Sequence, residues 1–366
     1  MISTTWAAVR ARRLARHHLL AGADDIVGVA RDTSGIHAQV QAAAELSLAA
    51  RTARATQQDV RDALWRDRTL VKAWTLRGTL HLHPAVDLPV FFAANRAAAG
   101  DPTGLDAWRD PKGVVHPAVS ADERNELEAA TWDALGAEPL VREELADAVV
   151  ERAGKKHAGR LRSGFAFFLG EAIQGPPKGN RITLVRPDRW VHTEWSDVDP
   201  GEALREVVRR FLRTYGPARP ADFRSWFGAD VRFDGIDVEP VDVEGHQALV
   251  LAGDTDFRDT AGSLRLLPEY DVYVMGFRER EHLVPEDVRA LVAAHGRGKY
   301  EGPAGVRILL VDGVARGLWE RKKRAKKVEL TVTSVGKLTR AHRAALDDEA
   351  ERVGAFLGLE PAVTVE

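Results

Sequence analysis

The chain contains no cysteine. Disulfides, thiolate nucleophiles and cysteine-ligated zinc are excluded, and the composition fits a reducing, cytoplasmic setting. Long apolar runs are missing too. No uncharged stretch approaches the roughly 18 residues that a membrane span needs. The N-terminus makes a poor signal peptide, because Arg10, Arg12, Arg13 and Arg16 interrupt any apolar core. Net positive charge is also absent. The formal value is −2, which argues mildly against nucleic acid as a partner. No strict internal repeat period is visible.

What is present is a soluble-type balance. Of 366 residues, 45% are hydrophobic and 29% charged, enough for two or three domains or an array of small units. The charge total hides its distribution. Arg321-Lys322-Lys323-Arg324-Ala325-Lys326-Lys327 holds six cations in seven positions. Acidic stretches, Asp230 to Glu244 and Asp347 to Glu351, cancel them. One cationic face with acidic flanks has this balance.

Periodicity gives the organisation. Residues 5 to 20 read as a helix with Thr4 or Thr5 as N-cap. Residues 38 to 52 are alanine-rich and helix-prone. Thr56 and Asp59 open another helix to residue 67. Leu70 to Leu82 then alternates as a strand, with Gly78 at a bend. Three helices followed by a β-segment is the order of a winged helix. A second such pattern has helices at Leu140 to Arg152 and Gly164 to Gln174. A turn cluster follows at Gly175 to Asn180, then a wing from Arg181 to Val191 that turns at Arg186-Pro187-Asp188. A third has helices at Glu202 to Tyr215 and Ala221 to Phe227, the latter begun by Pro220. It closes with a hairpin over Val238 to Val250 turning at Glu244-Gly245. Beyond it, Leu264 to Phe277, Val306 to Trp319 and Val328 to Val335 are strand-rich, and Thr339 to Leu357 is an amphipathic helix. The expected fold class is α+β, with tandem winged-helix units. Winged helix 1 spans 1–115, winged helix 2 spans 116–197, winged helix 3 spans 198–262, and a C-terminal α+β cap spans 263–366.

Two blocks carry a family resemblance. They are Ser34 to Ala43, containing Gln39-Val40-Gln41, and Trp74-Thr75-Leu76-Arg77-Gly78-Thr79-Leu80-His81-Leu82. A third, Leu266 to Gly276, contains Pro268-Glu269-Tyr270-Asp271-Val272-Tyr273 and is followed by Val311 to Trp319. Together they resemble the AlkZ/AlkX family of bacterial DNA glycosylases, in its AlkZ-like branch with a Gln-apolar-Gln motif. The AlkX branch has Asp at the second glutamine, where this chain departs from it. The resemblance implies tandem winged helices around a channel for duplex DNA. It implies Gln39 and Gln41 as catalytic residues, and hydrolysis of the N-glycosidic bond of N7-alkylguanine, with bulky adducts or interstrand crosslinks accepted. The partner would be double-stranded DNA carrying alkylated guanine. The expected protein is a cytoplasmic monomer with no membrane association, no cofactor, no metal and no lyase activity.

Glutamine restricts the chemistry. Alkylation at N7 makes the base a cationic leaving group that needs no general acid. A Gln amide oxygen can hold a water and face the developing oxocarbenium ion. It does not titrate near neutral pH and is no efficient general base. Only labile, charged bases should therefore be released, through positioning and electrostatic stabilisation. Geometry adds a condition. Residues two apart point about 200° apart on a helix but to one side of an extended segment. If Gln39 and Gln41 share a site, the backbone there should be extended or at a helix start.

Other candidates surround the motif. His37 either joins the glutamine face or is an ordinary loop histidine. Arg77, His81 and His83 alternate along a strand and should share one face. That face either lines the DNA channel, with Arg77 on a phosphate, or is solvated. A metal pair at His81 and His83 lacks a third ligand. The cations Arg321, Lys322, Lys323, Arg324, Lys326 and Lys327, following a β-hairpin, are expected to contact phosphate. Arg10, Arg12, Arg13 and Arg16 wrap too much of a helix for one DNA face, so some should be plain surface charge. Asp271, Tyr270 and Tyr273 form either a buried network, the favoured reading, or an active-site wall. Two other functions compete: a winged-helix transcription regulator, and a non-catalytic protein that binds a drug or shields a lesion.

Overall fold

Helices begin where a capping side chain stands. Thr5 accepts a hydrogen bond from the Ala8 N–H and opens Trp6–Arg16. Thr56 and Asp59 form a capping box at Gln57–Trp65, and Thr339 opens Arg340–Leu357. Pro220 occupies the first turn of Pro220–Phe227, where an N–H is not needed. The computed structural model describes residues 2–101, 103–164, 169–258, 262–277 and 280–366. Among them, no helix is long and apolar enough to cross a membrane.

The described strands form four sheets. A six-stranded antiparallel sheet runs in the order Ile36–His37, Leu80–Pro84, Leu70–Trp74, Ile173–Lys178, Arg181–Val185, Leu140–Val141. It joins segments far apart in sequence, through the pairing of Lys72 and Ala73 with Gln174 and Ile173. A five-stranded sheet follows the order Leu264–Leu267, Ile308–Val311, Val314–Lys323, Lys327–Ser334, Glu360–Val365, with only the last pair parallel. The helices Gln41–Ala49 and Arg340–Leu357 contribute to its core, where Leu46, Leu48, Trp319, Leu330, Val353 and Phe356 pack together. A second core is aromatic. Phe211 and Tyr215 from Pro200–Tyr215 meet Phe223 and Trp226 from Pro220–Phe227. Helices interleave along the chain with mostly antiparallel sheets, an α+β arrangement.

Several elements differ from expectation. The helix anticipated over Gly164 to Gln174 does not extend to Gln174, and the described helix there is Ala158–Gly164. Residues 165–168 lie outside the described residues, and Ile173 and Gln174 already belong to a strand. That strand runs through Pro176 and Pro177, and only Gly179-Asn180 turns. A register shift between Gly175 and Lys178 accommodates the prolines, since a bulge leaves N–H positions unpaired. Arg186-Pro187-Asp188 is not a strand turn; Pro187 starts the short helix Pro187–Trp190. The strand at Leu264 stops at Leu267, because Asp271 caps the helix Val272–Met275. Two of the N-terminal arginines are not surface charge. Arg12 and Arg13 are buried. Arg13 donates to the Tyr215 and Pro217 carbonyls and stacks on Phe277.

Candidate active site

The glutamine pair sits where a strand turns into a helix. Ile36–His37 ends, Val40 is extended at φ −110° and ψ 108°, and Gln41 is the first residue of Gln41–Ala49. The i, i+2 spacing therefore crosses a helix start, the geometry that lets two glutamines act on one side. Gly35 makes the entry feasible. Its φ is +103°, and a Cβ there would lie 2.5 Å from the His83 ring, so neither backbone nor space admits a side chain.

The two amides are held differently. Gln39 is exposed, and its Oε1 accepts from the Leu80 N–H at 3.5 Å, the outer limit of a hydrogen bond. Gln41 is half-buried. Lys72 Nζ donates to its Oε1 at 3.1 Å, and its Nε2 donates to Glu45 Oε1 at 3.4 Å. Glu45 is 2% exposed and also receives Gln57 Nε2 and Arg61 Nε. Burial brings the Lys72 ammonium down to about 8, with the Glu45 charge opposing the shift.

The histidines occupy the other side of the sheet. Register pairs His37 with His81, His81 with Ala73, and Lys72 with Leu82. Paired residues share a face and successive residues alternate. His37, His81 and His83 thus point opposite to Lys72. His83 is 0% exposed, hydrogen-bonds Thr75 Oγ1 at 2.9 Å, and packs on Phe91. Burial pushes it down to about 3, with Arg210 adding to the shift. His81 is held well below the usual histidine range by burial and then by His83, and its Nδ1 lies 2.9 Å from the Thr79 carbonyl. Both rings are enclosed. His37 is 6% exposed, meets the edge of His81, and lies against Tyr270 at 5.4 Å. It is drawn down to about 4, mostly by burial.

Arg77 does not share that face. It lies in the tight turn Leu76–Gly78 with φ +55°. Its guanidinium donates to the Trp226 carbonyl and to the Ser225 carbonyl, at the end of Pro220–Phe227, where a cation complements the helix dipole. The expected strand alternation fails here because the hairpin turns at Arg77.

The third sequence block does two things. Asp271 accepts from Arg51 at 2.7 and 2.8 Å and from Ser47 Oγ at 2.7 Å. With both partners of the Arg51 pair at 0% side-chain exposure, it ties the end of the glutamine helix to the C-terminal region. Tyr273 is buried and donates to the Gly313 carbonyl. Tyr270, however, stands against His37, with its hydroxyl on Glu301. The block is mostly buried network, and its first tyrosine borders the site.

The basic run follows the hairpin of Ile308–Val311 and Val314–Lys323, as expected, and itself forms the tip of the next one. Lys322 and Lys323 end Val314–Lys323, Arg324 to Lys326 turn, and Lys327 begins the return strand. Lys322 to Lys327 are exposed. Arg321 and Lys323 share the parity of buried Trp319 and carry that face past the core edge. There the Glu45 charge acts on both, although burial lowers each of them most. The hairpin base and the glutamine helix are thus neighbours. Arg324 is engaged by Glu329, and Lys327 lies 3.9 Å from Glu360.

Sequence reasoning misses Lys72 and Glu45, and gives Tyr270 only as part of the less favoured active-site wall. A signal existed for two. Lys72 is the lone cation among Leu70, Trp74 and Leu76 on one strand parity, and Glu45 is the lone charge in Ala42 to Ala50.

Known proteins resemble the chain along most of its length. The family model described as DNA glycosylase AlkZ-like matches residues 30–356. An interstrand DNA cross-link repair glycosylase of Streptomyces sahachiroi is 30% identical over 98% of both chains. The solved structure of the Streptomyces sahachiroi DNA glycosylase AlkZ superposes with a TM-score of 0.80 at 27% identity, covering 100% of each chain. The chain belongs to the AlkZ-like family of DNA glycosylases.

Proposed function

We propose that the protein is a monofunctional glycosylase that hydrolyses the N-glycosidic bond of cationic N7-alkylguanine in duplex DNA. Its role would be repair, or self-resistance to a genotoxic natural product, in the cytoplasm and as a monomer. The name of the Streptomyces sahachiroi relative extends the substrate range to interstrand crosslinks. The supporting observation is the strand-to-helix junction that leaves Gln39 exposed and Gln41 at the first helical position. The division at 1–115, 116–197, 198–262 and 263–366, with three winged helices lining a channel, belongs to this proposal.

The step is simple. Alkylation has already placed positive charge on the base, so the C1′–N9 bond breaks toward a neutral N7-alkylguanine. Water adds to C1′ and releases its proton to solvent. The glutamine oxygens face the cationic sugar, and the exposed lysines of the hairpin hold phosphates. His37, beside Tyr270, borders the site; the enclosed His81 and His83 support the backbone behind it.

Release of free base from a duplex containing one N7-methylguanine tests this. Wild type should release it, and Gln39→Ala and Gln41→Ala should be slowed on the order of 10- to 100-fold. A duplex containing uracil should yield no free base. Full activity in both variants, or efficient uracil release, would remove the mechanism.

A further inference from the structure

The Gln41 amide has only one chemically allowed orientation. Nitrogen and oxygen of an amide are distinguished by their partners. A lysine ammonium has donors and no acceptor, and an ionised carboxylate accepts only. Lys72 Nζ lies 3.1 Å from one end of the amide, and Glu45, held by Arg61, lies 3.4 Å from the other. The end at Lys72 must be oxygen and the end at Glu45 nitrogen. Among the described residues Gln39 has no such clamp: its side-chain hydrogen bond there is to a backbone N–H at 3.5 Å.

We propose that Lys72 and Glu45 are positioning residues that lock the Gln41 amide, presenting the second lone pair of Oε1 as acceptor for the attacking water. This rests on the reading of Gln41 as catalytic. It divides the labour within the motif. Gln41 is the preorganised water holder, and unclamped Gln39 adapts to base or phosphate. The clamp also settles a charge problem. A bare ammonium beside a cationic base and sugar would oppose the reaction, and the Glu45 carboxylate at the far end of the amide offsets it. Lys72 stands on Leu70–Trp74, Glu45 on Gln41–Ala49, and Arg61 on Gln57–Trp65. Three elements therefore fix one side-chain rotamer.

The experiment measures single-turnover release of N7-methylguanine from a duplex, together with DNA affinity across a salt series. Variants are Gln41→Ala, Lys72→Met, Lys72→Arg and the double variant Gln41→Ala/Lys72→Met. Lys72→Met should slow the step on the order of 10- to 100-fold, leave affinity and salt slope unchanged, and add no further loss in the Gln41→Ala background. Lys72→Arg should restore much of the rate, since it keeps a charged donor. A wild-type rate in Lys72→Met overturns the proposal, as does an additive loss. A salt slope lowered by about one would make Lys72 a phosphate contact instead. Gln41→Ala at full activity would sink the catalytic reading itself, whereas an inactive Gln41→Ala with normal Lys72→Met sinks the clamp alone.

If Lys72→Met does not fold, the pH profile decides. Lys72 faces Glu45 from its helix, with Arg61 behind, Leu82 on one neighbouring strand and Gln174 on the other. The wild-type rate should fall as pH rises through about 8 and the ammonium is lost. Lys72→Arg should hold its rate through that range, and a profile identical to wild type would contradict the clamp.

Discussion

The two sides of one short sheet carry similar polar residues and do opposite things. On one side His81 and His83 are buried and neutral, His83 against Phe91 of the helix Leu88–Ala99. On the other, Lys72 reaches Gln41, and the exposed Gln39 stands at the end of the same strand-to-helix junction. The histidines are the residues that sequence alone favours as chemistry, and the lysine is the one it passes over. Register decides between them. A residue's neighbour across the strand, fixed by a turn at Arg77, determines whether it meets the core or the glutamine junction.

Acid should expose the difference most strongly. Burial holds His83 down to about 3, against an ordinary value near 6.5 in the unfolded chain. Between those values the unfolded state binds more protons. Stability is therefore intact above pH 6.5 and is lost as pH falls toward 3. At pH 5 His83 alone costs about 2 kcal/mol, and the depressed His81 pulls in the same direction. Denaturant unfolding at pH 7 and pH 5 reads this, and His83→Gln should flatten the dependence. An unchanged dependence in that variant would show that His83 does not carry it.

A smaller effect belongs to the open side. Removing Lys322, Lys323 and Lys326 together should lower the salt slope of DNA binding by roughly one for each phosphate left without its lysine. Stability and the rate on saturated enzyme should stay near wild type. An unaltered slope would make the hairpin a solvated tip. Arg324→Ala should matter least, because Glu329 already holds that guanidinium.

The sequence made much of this legible, for identifiable reasons. Capping residues marked Trp6–Arg16 and Gln57–Trp65, since Thr5 and Thr56 act locally, and an amphipathic pattern marked Arg340–Leu357. Glu244-Gly245 marked a hairpin, since both positions of the turn have positive φ. The glutamine junction was anticipated as a geometric condition. What escaped depends on partners far along the chain. Ile2–Thr4 is a strand only because Val238–Val243 lies beside it, and Glu360–Val365 only because Lys327–Ser334 does. Arg77 looked like a strand residue until a helix terminus 148 residues away claimed it. Which of Arg10, Arg12, Arg13 and Arg16 leave the surface depends on distant partners: backbone carbonyls and an aromatic ring enclose Arg12 and Arg13.

The central claim is that the glutamine junction acts and the enclosed histidine side supports. One paired measurement tests it: single-turnover base release from an N7-methylguanine duplex, alongside unfolding free energy, for Gln41→Ala and His83→Gln. Gln41→Ala should lose on the order of 100-fold in rate with stability retained. His83→Gln should lose stability and keep the rate of its folded fraction. A fully active Gln41→Ala, or a stable His83→Gln that cannot release base, would contradict it.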